Sequence, residues 1–242
     1  MSRTPKPLRV DLHSHTWYSG DSVTTPKMLV RRARAAGLDR IAVTDHGTLA
    51  GALEARAIDP ELVIVGEEIS CAGHTHLIGL FLQERIPNRL SIEESARRIR
   101  EQGGVVYAPH PYAYATSAAK RAQRLLAVAD VAETFNARGF LPSWNRKAKA
   151  EAERLGLSGG VGSDAHLPWE VGRVYLEMPH FDDANSFLAA VARAHGGRME
   201  PITAAVHVSG FALLAARTLI GRGHGTPLFN GRALRNGNGP AR

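Results

Sequence analysis

Apolar and polar positions follow two periods along most of the chain. From about residue 8 to residue 195, short β-branched or apolar runs are each followed by an amphipathic stretch with helical spacing. Arg9 to Leu12 reads as a first strand. Thr25-Pro26 then opens a helix, with Thr25 as N-cap and Pro26 at the first helical position. Met28, Leu29, Ala33 and Ala36 form its apolar face, and Gly37 ends it. Arg40 to Thr44 is a second strand, and a short helix follows Gly47. Leu62 to Val65 and Thr75 to Leu82 read as strands. Ile92 to Gln102 is a helix stopped by Gly103-Gly104, and Val105 to Ala108 and Val131 to Phe135 are strands again. Ser143 to Leu155 is a charged helix, Gly160-Val161 sits in a short strand, Arg173 to Met178 is the next strand, and Asp182 to His195 closes the series as a helix.

Repeated strand–helix units imply a parallel α/β sheet, either closed as a TIM-like barrel or open and doubly wound. Residues with ligating chemistry fall just after the strands. That placement favours the barrel, with its site at the C-terminal rim and fewer than eight regular units. Ile202 to Ala216 is uncharged and alanine-rich, and too short for a membrane span, which needs about 20 residues. Residues 201–220 are therefore expected to hold a helix packed on the main domain of residues 8–200. Residues 221–242, rich in Gly, Asn and Arg, are expected to be a disordered basic tail.

Composition narrows the class. A chain of 242 residues that is 44% hydrophobic fits one α/β barrel with a sizeable core. Net charge is +7, but Arg217, Arg222, Arg232, Arg235 and Arg242 all lie after Ala216 with no acid among them, so much of the excess belongs to the tail. Cys71 is the only cysteine, which excludes an intramolecular disulfide and thiolate-rich zinc sites. Ser2 to Arg9 is polar and basic, so no secretion signal is expected, and a cytoplasmic setting fits.

Histidine changes the picture most. Eleven occur, and six lie in short motifs near the ends of these strands, several with Asp or Glu alongside. His13-Ser14-His15 follows the first strand, and Asp21 comes six residues later in a Tyr-Ser-Gly-Asp turn able to fold back on it. Thr44-Asp45-His46 ends the second strand, with His46 placed to bind a metal and Asp45 placed to orient a histidine from behind. Gly66-Glu67-Glu68 ends the next apolar run, where a buried carboxylate is costly unless paired or bound to a cation. His76 opens a strand, His110 sits between Pro109 and Pro111, and Asp164-Ala165-His166 follows the Gly160 strand. A lone histidine is usually structural. Six at strand ends, with acids alongside, point to a metal site. Imidazole and carboxylate donors without thiolate suit Zn²⁺, Mn²⁺ or Fe²⁺, and so many donors call for two or three ions.

The ordered motifs V-D-L-H-S-H-T, Y-S-x-D, T-D-H-G-T, G-x-E-I-S, H-L-I-G, P-H-P and G-S-D-A-H resemble those of the PHP family (polymerase and histidinol phosphatase domains) from about Val10 to Val174. Among its members the chain looks like the small stand-alone TrpH-like phosphoesterases. The resemblance implies a distorted (β/α)7 barrel and nine ligands: His13, His15, Asp21, His46, Glu68, His76, His110, Asp164 and His166. Glu68 is preferred to Glu67 by the G-x-E spacing, and His76 to His74 because it directly precedes Leu-Ile-Gly. It further implies that Glu68 bridges two ions, with His13, His15 and Asp164 at one site, His76 and His110 at a second, and Asp21, His46 and His166 at a third. Glu68, Asp164 and His166 are the expected catalytic residues. The helical insertion of TrpH-like members is largely missing, since only 54 residues separate His110 from Asp164.

The implied activity is hydrolysis of a phosphate ester by metal-activated water, on a small phosphorylated molecule such as a nucleotide. Arg138, after the Val131 strand, and Arg173, after the G-S-D-A-H loop, are the candidates for gripping the substrate phosphate. A nuclease acting on oligonucleotide ends and a histidinol-phosphate-type phosphatase are the alternative enzymes. A metal-binding regulatory module is the non-catalytic alternative, and the complete ligand set argues against it.

Overall fold

The computed structural model describes residues 6–113 and 118–202. In chain order the elements are β1 (Leu8–Asp11), α1 (Pro26–Ala35), β2 (Arg40–Val43), α2 (Ala50–Ile58), β3 (Val63–Cys71), β4 (Thr75–Leu80), α3 (Ile92–Glu101), β5 (Val105–Ala108), α4 (Ala118–Val128), β6 (Val131–Asn136), α5 (Pro142–Leu155), β7 (Ser158–Gly162), β8 (Val174–Met178), α6 (Ala184–Val191) and β9 (Gly197–Met199). The expected helix after Ile202 and the basic tail lie outside the described residues. Among the described residues no helix is long and apolar enough to cross a membrane.

Local chemistry sets several of these boundaries. The Thr25 hydroxyl accepts from Met28 N–H at the start of α1, and Gly37 takes φ 75° just beyond its end. Asp183 and Ser186 cap α6 reciprocally. Helix α4 is one that the apolar spacing did not single out; it buries Leu125 and Leu126.

One sheet takes the strands in the order β7-β6-β5-β4-β3-β2-β1-β8-β9. β1, β2 and β3 run parallel, as do β5, β6 and β7. The chain just beyond β7 comes back to the chain just beyond β1. Leu12 N–H donates to the Val161 carbonyl (3.1 Å), Asp164 N–H to His13 (2.8 Å) and His15 N–H to Ala165 (2.9 Å). The sheet thereby curls into a nearly closed barrel. β8 pairs antiparallel with Leu8–Val10 of β1, wedging the other end and distorting the closure.

The barrel-like α/β architecture matches expectation, but strands and helices do not alternate throughout. β3 runs on from Val65 to Cys71 and turns directly into β4, which is antiparallel to both of its neighbours. The turn Ala72–His74 carries positive φ at Gly73 (81°) and His74 (56°), as a tight hairpin requires. The consequence reaches the site. An antiparallel β4 brings its first residues to the rim where the parallel strands end, and His76 is one of them.

Strand alternation divides the core in two. Val10, Leu12, Ala42, Ile64, Ile78, Val105, Tyr107, Val131 and Val161 pack inside the barrel. Ile41, Val43, Val63, Val65, Val106, Ala108 and Ala132 face the helix layer. Phe81, Phe181 and Phe187 close the end away from the rim, with ring centroids 5.2–6.3 Å apart.

Candidate metal centre

The rim gathers side chains from six strand ends and one turn. His13 and His15 leave β1, His46 leaves β2, Glu68 stands within β3, His76 within β4, His110 follows β5, and Asp164 and His166 follow β7. Asp21 folds back from the turn after Trp17–Ser19, where Gly20 adopts φ 86°. His110 (φ 27°) and Asp164 (φ 51°) both hold left-handed backbone, a cost of about 1–3 kcal/mol each that such sites tend to store.

All nine expected ligands converge. Their donor atoms form four overlapping groups: His15, Asp21, His46 and His166; His13, His15 and Glu68; His13, His110 and Asp164; and His46, Glu68 and His76. Glu68 stands between two sets of rings. Its Oε1 is 2.8 Å from His76 Nδ1 and 3.2 Å from His110 Nε2. Its Oε2 is 3.2 Å from His13 Nε2 and 3.3 Å from His15 Nε2. Asp21 Oδ2 lies 3.3 Å from His46 Nε2 and 3.2 Å from His166 Nε2. Glu67 points the other way, accepting from Ile86 N–H at 2.8 Å. His74 is exposed on the hairpin turn.

Electrostatics show what the pocket wants. Burial opposes charge on His13, but Asp164, Glu133 and Glu68 outweigh it and hold the imidazole well above its usual pKa. For His15, hydrogen bonds to Asp164 and Glu68 overcome burial and lift it to about 10. Burial likewise works against ionised Glu68, yet His46 and His13 pull it well below the carboxylate range; His13 and the two neighbouring rings His15 and His166 do the same for Asp164. The carboxylates demand positive charge among them.

Comparison with known proteins identifies the lineage. Residues 11–80 match the PHP domain model and residues 142–195 match the PHP-associated model. Two uncharacterized proteins of Methanocaldococcus jannaschii are related. One is 41% identical over 118 residues (43% of this chain, 68% of that protein), and the other is 34% identical over 177 residues (71% and 70%). The chain belongs to the PHP family. PHP proteins are metal-dependent phosphoesterases, and the chain is an enzyme of that kind. A 5′-3′ exoribonuclease of Haemophilus influenzae is 35% identical over 103 residues, spanning 40% of this chain and 37% of that enzyme. In fold, this PHP chain resembles a protein of Bifidobacterium adolescentis assigned as a metal-dependent phosphoesterase (TM-score 0.56, 19% identity, 79% of this chain and 99% of that one). It also resembles endonuclease Q, solved with a duplex carrying an abasic lesion (TM-score 0.57, 16% identity, 79% and 58%).

The residues of this PHP site fit divalent ions on their own geometry. A tetrahedron with metal–ligand bonds of about 2.0–2.2 Å has edges of roughly 3.3–3.6 Å. The donor pairs among His13 Nε2, His15 Nε2, Glu68 Oε2 and Asp164 Oδ1 for which distances are measured lie 3.0–3.7 Å apart. Among the described residues, buried Asp21 Oδ1 and His46 Nδ1 have no hydrogen-bond partner, as atoms shaped for a cation would.

Behind these donors sit residues that sequence reasoning did not single out. Glu133 Oε1 is 3.0 Å from His13 Nδ1 and accepts from Tyr107 hydroxyl (3.3 Å); Oε2 accepts from His110 N–H (2.6 Å) and Asn136 Nδ2 (2.9 Å). Asn136 Nδ2 also donates to Asp164 Oδ2 (3.2 Å). A Cβ on Gly162 would collide with the Glu133 carboxylate and with His13 Cβ, so β7 needs glycine there. The available signal was an acid at an inward position of an otherwise apolar strand.

Asp45 does not orient a histidine. It accepts from Thr16 N–H and Thr16 hydroxyl, both at 2.6 Å, and pins the loop after His15 instead. Gly51 makes room for this pair, since a Cβ there would collide with the Asp45 carboxylate and the Thr16 hydroxyl. Glu170, fully buried, accepts from His166 N–H (2.7 Å) and Leu167 N–H (3.0 Å), and Arg138 donates to it at 3.1 Å. Arg138 is thus tied to the Asp164–His166 loop, while Arg173 stands just before β8.

Proposed function

We propose that the chain hydrolyses a phosphate ester of a small phosphorylated molecule, with a nucleotide as the favoured class, using two or three Zn²⁺, Mn²⁺ or Fe²⁺ ions held by His13, His15, Asp21, His46, Glu68, His76, His110, Asp164 and His166. The observation that carries this reading is the position of Glu68, with one oxygen toward His76 and His110 and the other toward His13 and His15. Divalent ions in such a setting acidify water and offset charge on phosphoryl oxygens.

The protein's share is positional. Glu68 holds two donor groups at a fixed separation, which suits a bridging carboxylate. Asp164 is kept in register by Asn136, and the His166 ring by its own Nδ1, 2.8 Å from the Asp164 carbonyl. These three are the proposed catalytic residues. Arg138 and Arg173 remain the proposed contacts for a substrate phosphoryl oxygen. For Arg138, the link to Glu170 fixes the guanidinium beside the loop of Asp164.

The test is to replace His13 and Asp164 by Ala separately, measure bound metal, and follow phosphate release from mononucleotides, nucleoside bisphosphates and short oligonucleotides. Loss of both metal and turnover is expected; full activity in both variants refutes the assignment. A second reading, action on oligonucleotide ends, is favoured by the likeness to the exoribonuclease. It predicts activity that falls steeply with salt, because phosphate contacts along a strand release counterions.

A further inference from the structure

We propose that a cavity at the end of the barrel away from the rim binds a small planar anion, an aromatic ring carrying one carboxylate or phosphoryl group. This goes beyond the phosphoesterase reading and does not rest on it. The cavity holds about 360 Å³, within the size range of ordinary small-molecule sites, and is lined by Arg40, Arg56, Val63, Val65, Phe81 and Phe181, among others. It shares no residue with the donor cluster. Along β3, Val63 stands five residues before Glu68, about 16 Å in an extended strand.

The cavity follows from how β4 ends. β3 pairs with β2 from Val63 onward, but with β4 only from Gly66, which lies opposite Leu80. Phe81 then takes φ 60°, a sterically costly conformation for a bulky aromatic residue, and Leu82 N–H returns to the Val65 carbonyl (3.1 Å). The first residues of β3 are left without a ladder partner on that side. Phe81 stands at the gap, its ring centroid 6.3 Å from that of Phe181. Backbone strain held at a cavity wall is typical of ligand clamps.

The polar groups select the ligand's charge. Arg40 is half-buried, with Cζ 5.8 Å from the Phe181 ring centroid, and its one described hydrogen bond goes to the Asp39 carbonyl (3.1 Å). Arg56 is exposed in the last turn of α2. Neither is paired with a carboxylate among the described residues, whereas Arg9 has Glu177 and Arg34 has Asp59. The undescribed residues 1–5, 114–117 and 203–242 contain no Asp or Glu either. Arg40 thus keeps guanidinium donors for an incoming acceptor, and its planar face suits stacking on a ring. Glu61 and Asp182 stand at the mouth, both exposed. Two acids beside two arginines leave no net positive charge. That balance disfavours a polyanion such as a nucleic-acid backbone and suits a ligand with one anionic group. The apolar wall of Val63, Val65, Phe81 and Phe181 takes its ring.

Calorimetry on the Mn²⁺-loaded protein would compare 2-naphthoate and 2-naphthylphosphonate with the neutral 2-naphthalenemethanol. The better anion should bind at least tenfold more tightly than the alcohol, and equally well after chelation of the Mn²⁺. Arg40→Gln should reduce that preference to threefold or less with bound metal unchanged, and Arg40→Lys should recover part of it. Whichever anion binds better tells whether the ligand's charge is a carboxylate or a phosphate. Crystals of the native protein soaked in 6-bromo-2-naphthoate locate the probe without any variant, and a bromine peak beside Phe81 and Arg40 is expected. No preference in the native protein, or a preference that survives in Arg40→Gln, overturns the proposal. So does binding that requires Mn²⁺, or bromine found only at the metal rim, because either result assigns the probe to the metal centre. If Arg40→Gln does not fold, the soaked crystals decide.

Discussion

Glu133→Gln is a sharp perturbation of the site because it changes one charge and almost no volume. Each Glu133 oxygen meets two groups: Oε1 meets His13 Nδ1 and the Tyr107 hydroxyl, and Oε2 meets His110 N–H and Asn136 Nδ2. All four can donate, provided His13 carries its proton on Nδ1. That tautomer follows from the hydrogen-bond network and leaves Nε2 free for an ion. A glutamine must turn its NH₂ toward one pair. Facing His110 N–H and Asn136, it sets donor against donor. Facing His13, it pushes the imidazole proton to Nε2, the atom proposed to hold the ion.

Either arrangement loses a charge-assisted hydrogen bond of about 1.5–3 kcal/mol. The share felt by His13 should weaken metal binding about 10–100-fold, typical for a partner standing behind a ligand. The assay is a Mn²⁺ or Zn²⁺ titration against a chelator, with thermal unfolding of the metal-free protein as the control for folding. Glu133→Gln that folds normally and binds metal with native affinity would refute the tautomer argument.

Gly162→Ala should destabilise the fold by about 1–3 kcal/mol or more, since the new methyl meets the fixed Glu133 and His13, and denaturant unfolding at native midpoint would contradict that close approach. Metal uptake should release protons. His13 and His15 are raised in the metal-free fold, His15 to about 10, so ions must displace protons at pH 7, and apparent affinity should climb as pH rises. Calorimetry in buffers of different ionisation enthalpy reads this; zero proton release counts against it. Glu67 carries an independent pH signature. Burial raises it to about 7, above its unfolded value, so its contribution is intact at low pH and fades as pH rises from about 4.5 through 7. At roughly 1.4 kcal/mol per pKa unit, Glu67→Gln should gain up to about 3 kcal/mol over the native chain at pH 8 and little at pH 4.5. A gain of equal size at both pH values would remove Glu67 as the cause.

The sequence was most legible where one residue type has few alternative uses. Thr25-Pro26 marked the start of α1 because its capping chemistry is local. The histidines after β1, β2 and β7 could be placed at the rim because each follows an apolar strand. The hairpin of β3 and β4 was hidden, since Gly66-Glu67-Glu68 looks like the end of a strand. Only pairing with β4, Glu68 opposite Ile78 and Ser70 opposite His76, keeps it extended. Glu133 was missed for a similar reason. Its partners His13, Tyr107 and Asn136 are brought together by β1, β5 and β6, and nothing in the local sequence records those contacts. Asp45 misled because adjacency to His46 suggested a partnership, whereas the carboxylate is consumed by Thr16, 29 residues earlier.

The most direct test of the central claim is anomalous scattering from crystals of the protein loaded with Mn²⁺, collected on both sides of the metal edge. The account predicts two or three peaks at the rim, with Glu68 between two of them and all nine donors in contact with one peak or another. A single peak, or peaks away from Glu68, would contradict it.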